Sequence, residues 1–136
     1  MNSTGNKWSV VLAAAVLHAV VAGSAQAQTA AGREIAIGAI VPSSGPFAEW
    51  GRSNTVTLKM FEQQVNKAGG INGARLKVII LDDATKPAQA ASSLRKLAGD
   101  EKVIAVAGPL TSSAAEVTFP VANEMKVVSI DRKSVV

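Results

Sequence analysis

Short apolar runs alternate with amphipathic segments along most of the chain. The runs are Glu34–Val41, Leu76–Leu81, Val103–Ala107 and Val127–Ile130. They are rich in Val and Ile, which favour β-strands, and the first is almost continuously apolar, as a strand buried on both faces is. Strands that alternate with helices form parallel sheets with helices packed on their faces. The pattern therefore predicts an α/β fold with a doubly wound parallel sheet.

The segment after the first strand predicts a long helix. It follows the breaker cluster Pro42–Pro46, and Pro46 suits a helix start because its ring fixes φ near the helical value. Its core-facing stripe has residues at spacings of three and four: Leu58, Phe61, Val65 and Ala68. Gly69 and Gly70 end the helix by accepting left-handed dihedral angles, and Asn72-Gly73 is a tight-turn pair. The chain therefore turns back here to begin the second strand.

Two further helices are predicted downstream. The segment Pro87–Ala98 carries apolar residues on one face, at Ala91, Leu94 and Leu97. In the next segment, Ser113 and Glu116 match a capping box, in which the hydroxyl and the carboxylate each accept a hydrogen bond from a free amide. Pro120 lies inside this third helix and should kink it, because it removes one backbone hydrogen bond.

Residues 1–27 are expected to be a cleavable export signal. Trp8–Ala22 is an almost unbroken apolar stretch. It is shorter than the roughly 18 to 20 apolar residues that a membrane-spanning helix needs. Ala25 and Ala27 place small residues where a signal peptidase requires them, so the expected cut lies before Gln28.

The side-chain inventory excludes several kinds of chemistry. The only His, His18, lies within the expected signal, and the sequence has no Cys and no Tyr. The remaining chain therefore cannot build a serine–histidine triad, a thiol nucleophile, a zinc site of Cys or His ligands, a haem site or an iron–sulfur cluster. We expect no cofactor. The formal net charge of +4 comes from Lys and Arg scattered among acidic residues, which does not indicate a nucleic-acid-binding surface.

A doubly wound sheet binds ligands at the carboxyl ends of its strands, where the winding direction reverses. If the second strand lies on one side of the first and the third strand on the other, the loops at the reversal are Pro42–Gly51 and Gly108–Ser113. They offer an aromatic wall at Trp50, a helix amino terminus that favours a carboxylate, and several hydroxyl groups. The hydroxyl-bearing residues are Ser43, Ser44, Thr111, Ser112 and Ser113. Such a crevice suits a small polar ligand.

Each of these features also has a purely structural interpretation. Ser112 and Ser113 would equally serve as helix caps, and Trp50 would equally pack as a core residue or a hydrophobic staple. Asp82 and Asp83 follow the second strand and are candidates for a Mg²⁺ site or a general base, but adjacent carboxylates there usually cap the next turn. Glycine-rich phosphate-binding motifs are absent from the sequence, so nucleotide binding is not indicated.

Four segments between Glu34 and Ile130 carry a family resemblance. They are Gly38–Gly51 (GAIVPSSGPFAEWG), Ala68–Ala74 (AGGINGA), Leu81–Pro87 (LDDATKP) and Ala107–Ala114 (AGPLTSSA). In this order and spacing they resemble the branched-chain amino acid binding proteins, the periplasmic substrate-binding components of ABC importers. The resemblance implies a type I periplasmic binding fold, in which two α/β lobes close on a small ligand. It also implies that the protein binds its ligand and is not an enzyme.

The resemblance further implies roles for particular residues. Trp50 falls at the family's aromatic position in the ligand pocket, and Ser112 at the hydroxyl that holds the ligand's carboxylate. Leu110, Thr111 and Ser113 lie beside it. The implied ligand is a branched-chain amino acid, an amide or a urea-like molecule. The implied partners are ABC permease subunits, and the protein would contact the membrane only through them. The implied location is the periplasm.

The sequence departs from the family pattern after Ile130. Members continue with a loop rich in Ser, Pro and Thr, whereas Asp131–Val136 (DRKSVV) follows here. The expected organisation is therefore a signal peptide at 1–27, part of the amino-terminal lobe at 28–130 and an aberrant tail at 131–136, with most of a typical member absent. Two other functions stay open: a ligand-sensing module of the same fold that acts on a protein partner, and a hydroxyl- or carboxylate-dependent enzyme.

Overall fold

The computed structural model describes residues 32–131, so the expected export signal and the residues from Arg132 onward lie outside the described part. Strands and helices alternate through that part. In chain order they are β1 (Glu34–Val41), α1 (Ala48–Lys67), β2 (Arg75–Asp82), α2 (Pro87–Gly99), β3 (Ala105–Ala107), α3 (Ser112–Glu124) and β4 (Val128–Ile130). The alternation confirms the α/β class.

The strands form one parallel sheet in the order β2-β1-β3-β4. The longest pairing joins β1 to β2, from Glu34 opposite Arg75 to Val41 opposite Asp82. On its other side β1 pairs with β3, where Ala39 lies opposite Ala107. The reversal of winding therefore lies between β1 and β3, as the sequence predicts for this strand order.

The helices bury apolar side chains on both faces of the sheet. Neighbouring residues of a strand point to opposite faces, so Ala39 and Ile40 of β1 belong to different clusters. The larger cluster joins the sheet to α2 and α3: Ile40, Ala90, Ala91, Leu94, Leu97, Val103, Val106, Ala114, Val121 and Ala122. The smaller one consists of Ala39, Leu76 and Val78, with Leu58 and Val65 of α1 packed against it. Each face of the sheet is thus covered, which makes it doubly wound.

The predicted stripe of the first helix is wrong at two positions. Leu58 and Val65 pack against the sheet, but Phe61 is 48% exposed and Ala68 is an exposed residue just after the helix end. The cause is a rotation of α1 that turns Glu62 and Asn66 towards β2, where their side chains bind the strand backbone. Phe61 therefore lies at the solvent-exposed border of the contact between α1 and the sheet. The helix also begins later than predicted, at Ala48.

The turn between α1 and β2 is confirmed. Gly69 and Gly70 have φ values of 98° and 76° just after the helix, and Asn72 and Gly73 both have positive φ. The backbone amide and carbonyl of Ile71 exchange two hydrogen bonds with Ala74, which closes a two-residue hairpin turn.

The predicted capping box at Ser113 is wrong. Helix α3 begins at Ser112, with Thr111 as the flanking residue, and no side-chain oxygen caps it. Ser113 therefore lies inside the first turn, too far along the helix for its hydroxyl to cap the end. Pro120 lies within α3, as predicted.

The third strand is shorter than predicted and begins at Ala105. Lys102 has a positive φ of 51°, and the Val103 amide donates to the Leu97 carbonyl at 3.1 Å. Val103 thus lies in the loop between α2 and β3, and its amide binds the last turn of α2.

Candidate functional site

Two glycines bring the loops at the reversal close to the sheet. A Cβ added to Gly51 would lie 2.0 Å from the carbonyl oxygen of Pro42, so α1 rests directly on the end of β1. Gly108 has a φ of 102°, and a Cβ there would lie 2.5 Å from the carbonyl oxygen of Ile40. No other residue fits either position without displacing backbone. These contacts draw the start of α1 and the end of β3 to the same edge.

The start of α3 has the features that a carboxylate needs. Ser112 and Ser113 are exposed in the first helical turn, while Leu110 and Thr111 before them are partly buried. The first amides of a helix have no partner within the helix, and the flanking residue Thr111 forms no side-chain cap. Their dipoles favour a negative charge at this end. The structure thus places all four of these predicted residues around one helix terminus.

Strand β4 holds the loop that leads to this terminus. The hydroxyl of Ser129 donates to the carbonyl oxygen of Gly108 at 3.0 Å, and the Gly108 amide donates to the carbonyl oxygen of Ile130 at 2.8 Å. Sequence reasoning did not assign Ser129 a role. The sequence could have indicated this role, because Ser129 is a hydroxyl-bearing residue within an otherwise apolar strand and such hydroxyls usually bind a backbone group.

Trp50 lies in the first turn of α1 and is half-buried. Its ring meets that of Phe47 edge to face, with centroids 6.3 Å apart and planes at 70°. Phe47 is itself 47% exposed. The pair therefore presents an aromatic surface on the β1 side of the reversal, and Trp50 is not a fully buried core residue.

The two serines of the β1–α1 loop bind protein groups. The hydroxyl oxygen of Ser43 lies 3.4 Å from that of Thr55. The hydroxyl of Ser44 donates to Oδ2 of Asp82 at 2.6 Å. These serines therefore hold the loop in place.

Asp82 and Asp83 cap the turn after β2, as one of the two sequence interpretations has it. Oδ1 of Asp82 accepts the Ala84 amide at 2.8 Å, and Oδ1 of Asp83 accepts the Thr85 amide at 2.9 Å. Both Ala84 and Thr85 have positive φ. Among the described residues, no group of three or more His, Cys, Asp or Glu side chains is placed to hold a metal ion.

The two carboxyl groups differ in their protonation behaviour. Burial acts to raise the pKa of Asp82, but hydrogen bonds from Ser44 and from the Ala84 amide outweigh it, so its pKa lies below the ordinary value. Asp83 is fully buried, and burial raises its pKa despite the hydrogen bond from the Thr85 amide. The nearby charge of Asp82 raises it further.

Another concave surface lies away from this edge, beside the carboxyl end of α1. It has a volume of about 430 Å³ and is wide open. Its lining residues are polar or charged: Glu62, Gln63, Asn66, Lys67 and Arg75. Two of them, Glu62 and Asn66, bind the backbone of β2, so the surface is part of the packing between α1 and the sheet.

Comparison with known proteins agrees with this architecture. The family described as periplasmic binding protein matches residues 34–135. The chain belongs to the periplasmic binding protein family. It is 36% identical over 89 residues to a leucine-, isoleucine-, valine-, threonine- and alanine-binding protein of Pseudomonas aeruginosa. The aligned segment covers 65% of this chain and 24% of that protein. Its relatives are thus substrate-binding proteins of the branched-chain amino acid type.

Solved structures share the fold. One is the branched-chain amino acid transporter substrate-binding protein of Streptococcus pneumoniae in complex with isoleucine, with a TM-score of 0.70, 32% identity, and coverage of 73% of this chain and 28% of that one. Another is a solute-binding protein of an ABC transporter from Rhodopseudomonas palustris in complex with 3,4-dihydroxybenzoic acid. For it the TM-score is 0.65 and the identity 29%, with coverage of 72% of this chain and 26% of that one. The sheet is that of the type I periplasmic binding proteins, and the chain spans about a quarter of the length of these relatives.

Within residues 32–131, no helix combines the length and the apolar character that crossing a membrane requires.

Proposed function

We propose that this chain binds the carboxylate of an amino acid at the carboxyl edge of β1 and β3, as part of the solute-binding component of an ABC importer. One observation carries the proposal: the aromatic surface of Trp50 and the start of α3 at Ser112, the helix end whose dipole favours a negative charge, flank the same reversal of the sheet. The ligand is a branched-chain amino acid or a similar small molecule, and the partners are ABC permease subunits.

The chemistry of the two sides divides the work of binding. The amides of the first turn of α3, together with the hydroxyls of Ser112 and Ser113, hold the carboxylate. Trp50 contacts the apolar part of the ligand. The ligands named for the two solved relatives, isoleucine and 3,4-dihydroxybenzoic acid, share a carboxylate and differ in everything else. This supports a common carboxylate site, with ligand choice made by other contacts.

The test uses a two-lobed chimera, in which residues 33–131 replace the matching segment of the Streptococcus pneumoniae protein. Isoleucine binding is then measured by titration calorimetry. We expect Ser112→Ala to weaken binding by about 1 to 3 kcal/mol, since it removes a partner of a charged carboxylate. Trp50→Ala should cost about 1.5 to 3 kcal/mol through lost apolar contact.

Two controls accompany this titration. Ser92→Ala changes an exposed serine of α2, away from the reversal, and should leave the affinity unchanged. Isoleucinamide keeps the side chain and the amine of isoleucine but lacks its carboxylate, and it should bind far more weakly. Unchanged affinity in both the Ser112 and Trp50 variants would remove the proposed site.

Export to the periplasm belongs to the same proposal. Cleavage before Gln28 would release the chain from the apolar segment 8–22. Mass spectrometry of the exported protein should find a mature chain that begins at Gln28. Recovery of exported protein that still begins at Met1, or firm retention in the membrane, would contradict it.

A further inference from the structure

Asp82 and Ser44 join two loops of the sheet edge at one point. Oδ1 of Asp82 accepts the Ser44 amide at 3.2 Å, and Oδ2 accepts the Ser44 hydroxyl at 2.6 Å. The Ser44 carbonyl oxygen accepts the hydroxyl of Thr85 at 3.2 Å. All three polar groups of Ser44 are thus bound to the last residue of β2 or to the loop that follows it, although these segments are about forty residues apart in sequence.

The approach of these loops is also steric. Gly45 has a φ of 80°, and a Cβ there would lie 2.6 Å from the carbonyl oxygen of Ala84. Only glycine allows this contact. The β2–α2 loop is itself fixed, because Oδ1 of Asp82 also accepts the Ala84 amide and the Asp82 carbonyl oxygen accepts Nε2 of Gln89 at 2.8 Å. Asp82 therefore binds both loops at once.

A short, hydrogen-bonded turn connects Ser44 to Trp50. The Ala48 amide donates to the Gly45 carbonyl oxygen at 3.1 Å, and the Gly51 amide donates to the Phe47 carbonyl oxygen at 3.0 Å. Gly51 rests on Pro42 at the other end of the same turn. A shift at Ser44 is thus passed on to the first turn of α1, where Trp50 lies.

We infer that Asp82 is a positioning residue for the ligand crevice: its carboxylate binds Ser44 and thereby sets the place of Trp50. This inference rests on the proposed function for its effect on ligand affinity. Asp82 does not touch the ligand; it acts through the β1–α1 loop. The Ser44 hydroxyl is already hydrogen-bonded to Asp82, so Ser44 also acts by positioning.

The experiment uses Trp50 as its own reporter. In the full chain with Trp8→Phe, Trp50 is the only Trp, so acrylamide quenching of its fluorescence measures its exposure. The quenching constant should rise in Asp82→Ala and in Ser44→Ala, and the double variant should match Asp82→Ala alone. Asp82→Asn keeps one oxygen for the amides of Ser44 and Ala84, and its amide group can still bind the Ser44 hydroxyl. It should therefore stay near the parent.

A matched control separates positioning from loss of stability. Leu97→Ala removes a fully buried side chain of α2 and lowers the melting temperature, but it should leave the Trp50 quenching constant unchanged. An Asp82→Ala chain that quenches like the parent would overturn the inference. Should Asp82→Ala not fold, Ser44→Ala decides in its place, since it must raise the quenching constant while the chain stays folded.

Isoleucine titration of the same substitutions in the two-lobed chimera, followed by calorimetry, tests the link to binding. We expect the dissociation constant to rise about tenfold in Asp82→Ala, the weight of one hydrogen bond to a positioned group, with recovery in Asp82→Asn. Binding by the parent with no change in Asp82→Ala would contradict the inference alone. A parent chimera that does not bind isoleucine would count against the proposed function, while the quenching result still judges the role of Asp82.

Discussion

The side-chain amide of Asn66 binds both backbone polar groups of Leu76. Its Nδ2 donates to the Leu76 carbonyl oxygen and its Oδ1 accepts the Leu76 amide, each at 2.8 Å. Leu76 lies in β2, which has a neighbouring strand only on the β1 side within the described sheet. Asn66 thus occupies the hydrogen-bonding positions that a further strand would use.

Val78 is the next residue of β2 whose backbone amide and carbonyl point away from β1, and side chains of α1 bind these groups as well. Lys59 donates to the Val78 carbonyl oxygen at 3.1 Å, and Glu62 accepts the Val78 amide at 3.3 Å. Burial acts to raise the pKa of Glu62, but the bonds from Lys59 and from Val78 outweigh it and lower that pKa. Helix α1 therefore closes this edge of the sheet with side chains, and an edge so closed cannot pair with another chain.

Asn66→Ala should lower the free energy of unfolding by about 1 to 3 kcal/mol, because two backbone groups of an edge strand lose their partners. It should also promote aggregation, since the opened edge can pair with another chain. Urea unfolding followed by circular dichroism measures the first effect, and thioflavin binding on incubation measures the second. Gln63→Ala, at the exposed neighbouring position of α1, is the control and should change neither. Equal stability of the two variants would contradict the protective role.

The pattern of apolar residues predicts the order of strands and helices because short apolar runs rich in Val and Ile form the strands, whereas the helices between them carry apolar residues on one face. For β1 the predicted and observed bounds agree. The stripe of α1 could not be predicted in the same way. Its face is chosen by Glu62 and Asn66, whose polar side chains turn inward to bind β2, and hydrophobic periodicity counts such residues as outward-facing.

The candidate site could be placed from the sequence as far as its loops. A breaker after a strand locates the edge at which the loops lie, and the reversal between β1 and β3 follows from the strand order. The link between Asp82 and Ser44 could not be found in this way, because it joins segments distant in sequence and depends on the close approach at Gly45. The start of α3 could not be placed from the sequence either, because the capping-box motif at Ser113 predicts a later start than the observed one at Ser112.

Asp83 should make stability depend on pH in the direction opposite to that of a typical carboxylate. Its pKa in the folded chain lies above the ordinary 3.8, because the side chain is buried. The protonated form is thus favoured by folding, and the stabilisation that it gives is complete below 3.8 and is lost as the pH rises through the folded pKa. Asp83→Asn lacks this loss. Relative to the parent, it should therefore gain in free energy of unfolding as the pH is raised above 3.8.

Urea unfolding across the acidic range to pH 7 measures this difference. Asp82→Asn is the matched comparison, since the folded pKa of Asp82 lies below 3.8 and its contribution is present above that value and lost as the pH falls through the folded pKa. The advantage of the parent over Asp82→Asn should therefore shrink below pH 3.8. If the parent and Asp83→Asn gave parallel curves above pH 3.8, Asp83 would not be a buried titrating group.

The β4 edge contrasts with the β2 edge. Val128 and Ile130 are 58% and 62% exposed, and within the described residues β4 pairs only with β3. Apolar side chains on an edge strand with unpaired backbone groups favour association between chains.

A polypeptide of residues 28–136 should therefore self-associate through β4, and Val128→Lys should reduce the association, since a charge on an edge strand opposes pairing. Val56→Lys is the matched control: Val56 is 60% exposed, close to Val128, but it lies on α1. It adds the same charge without changing the edge. Sedimentation velocity over a range of concentrations should show oligomers in the parent and in Val56→Lys, and mainly monomer in Val128→Lys. A parent that sediments as a monomer throughout, or a Val56→Lys chain that dissociates as fully as Val128→Lys, would show that the exposed β4 edge does not drive association.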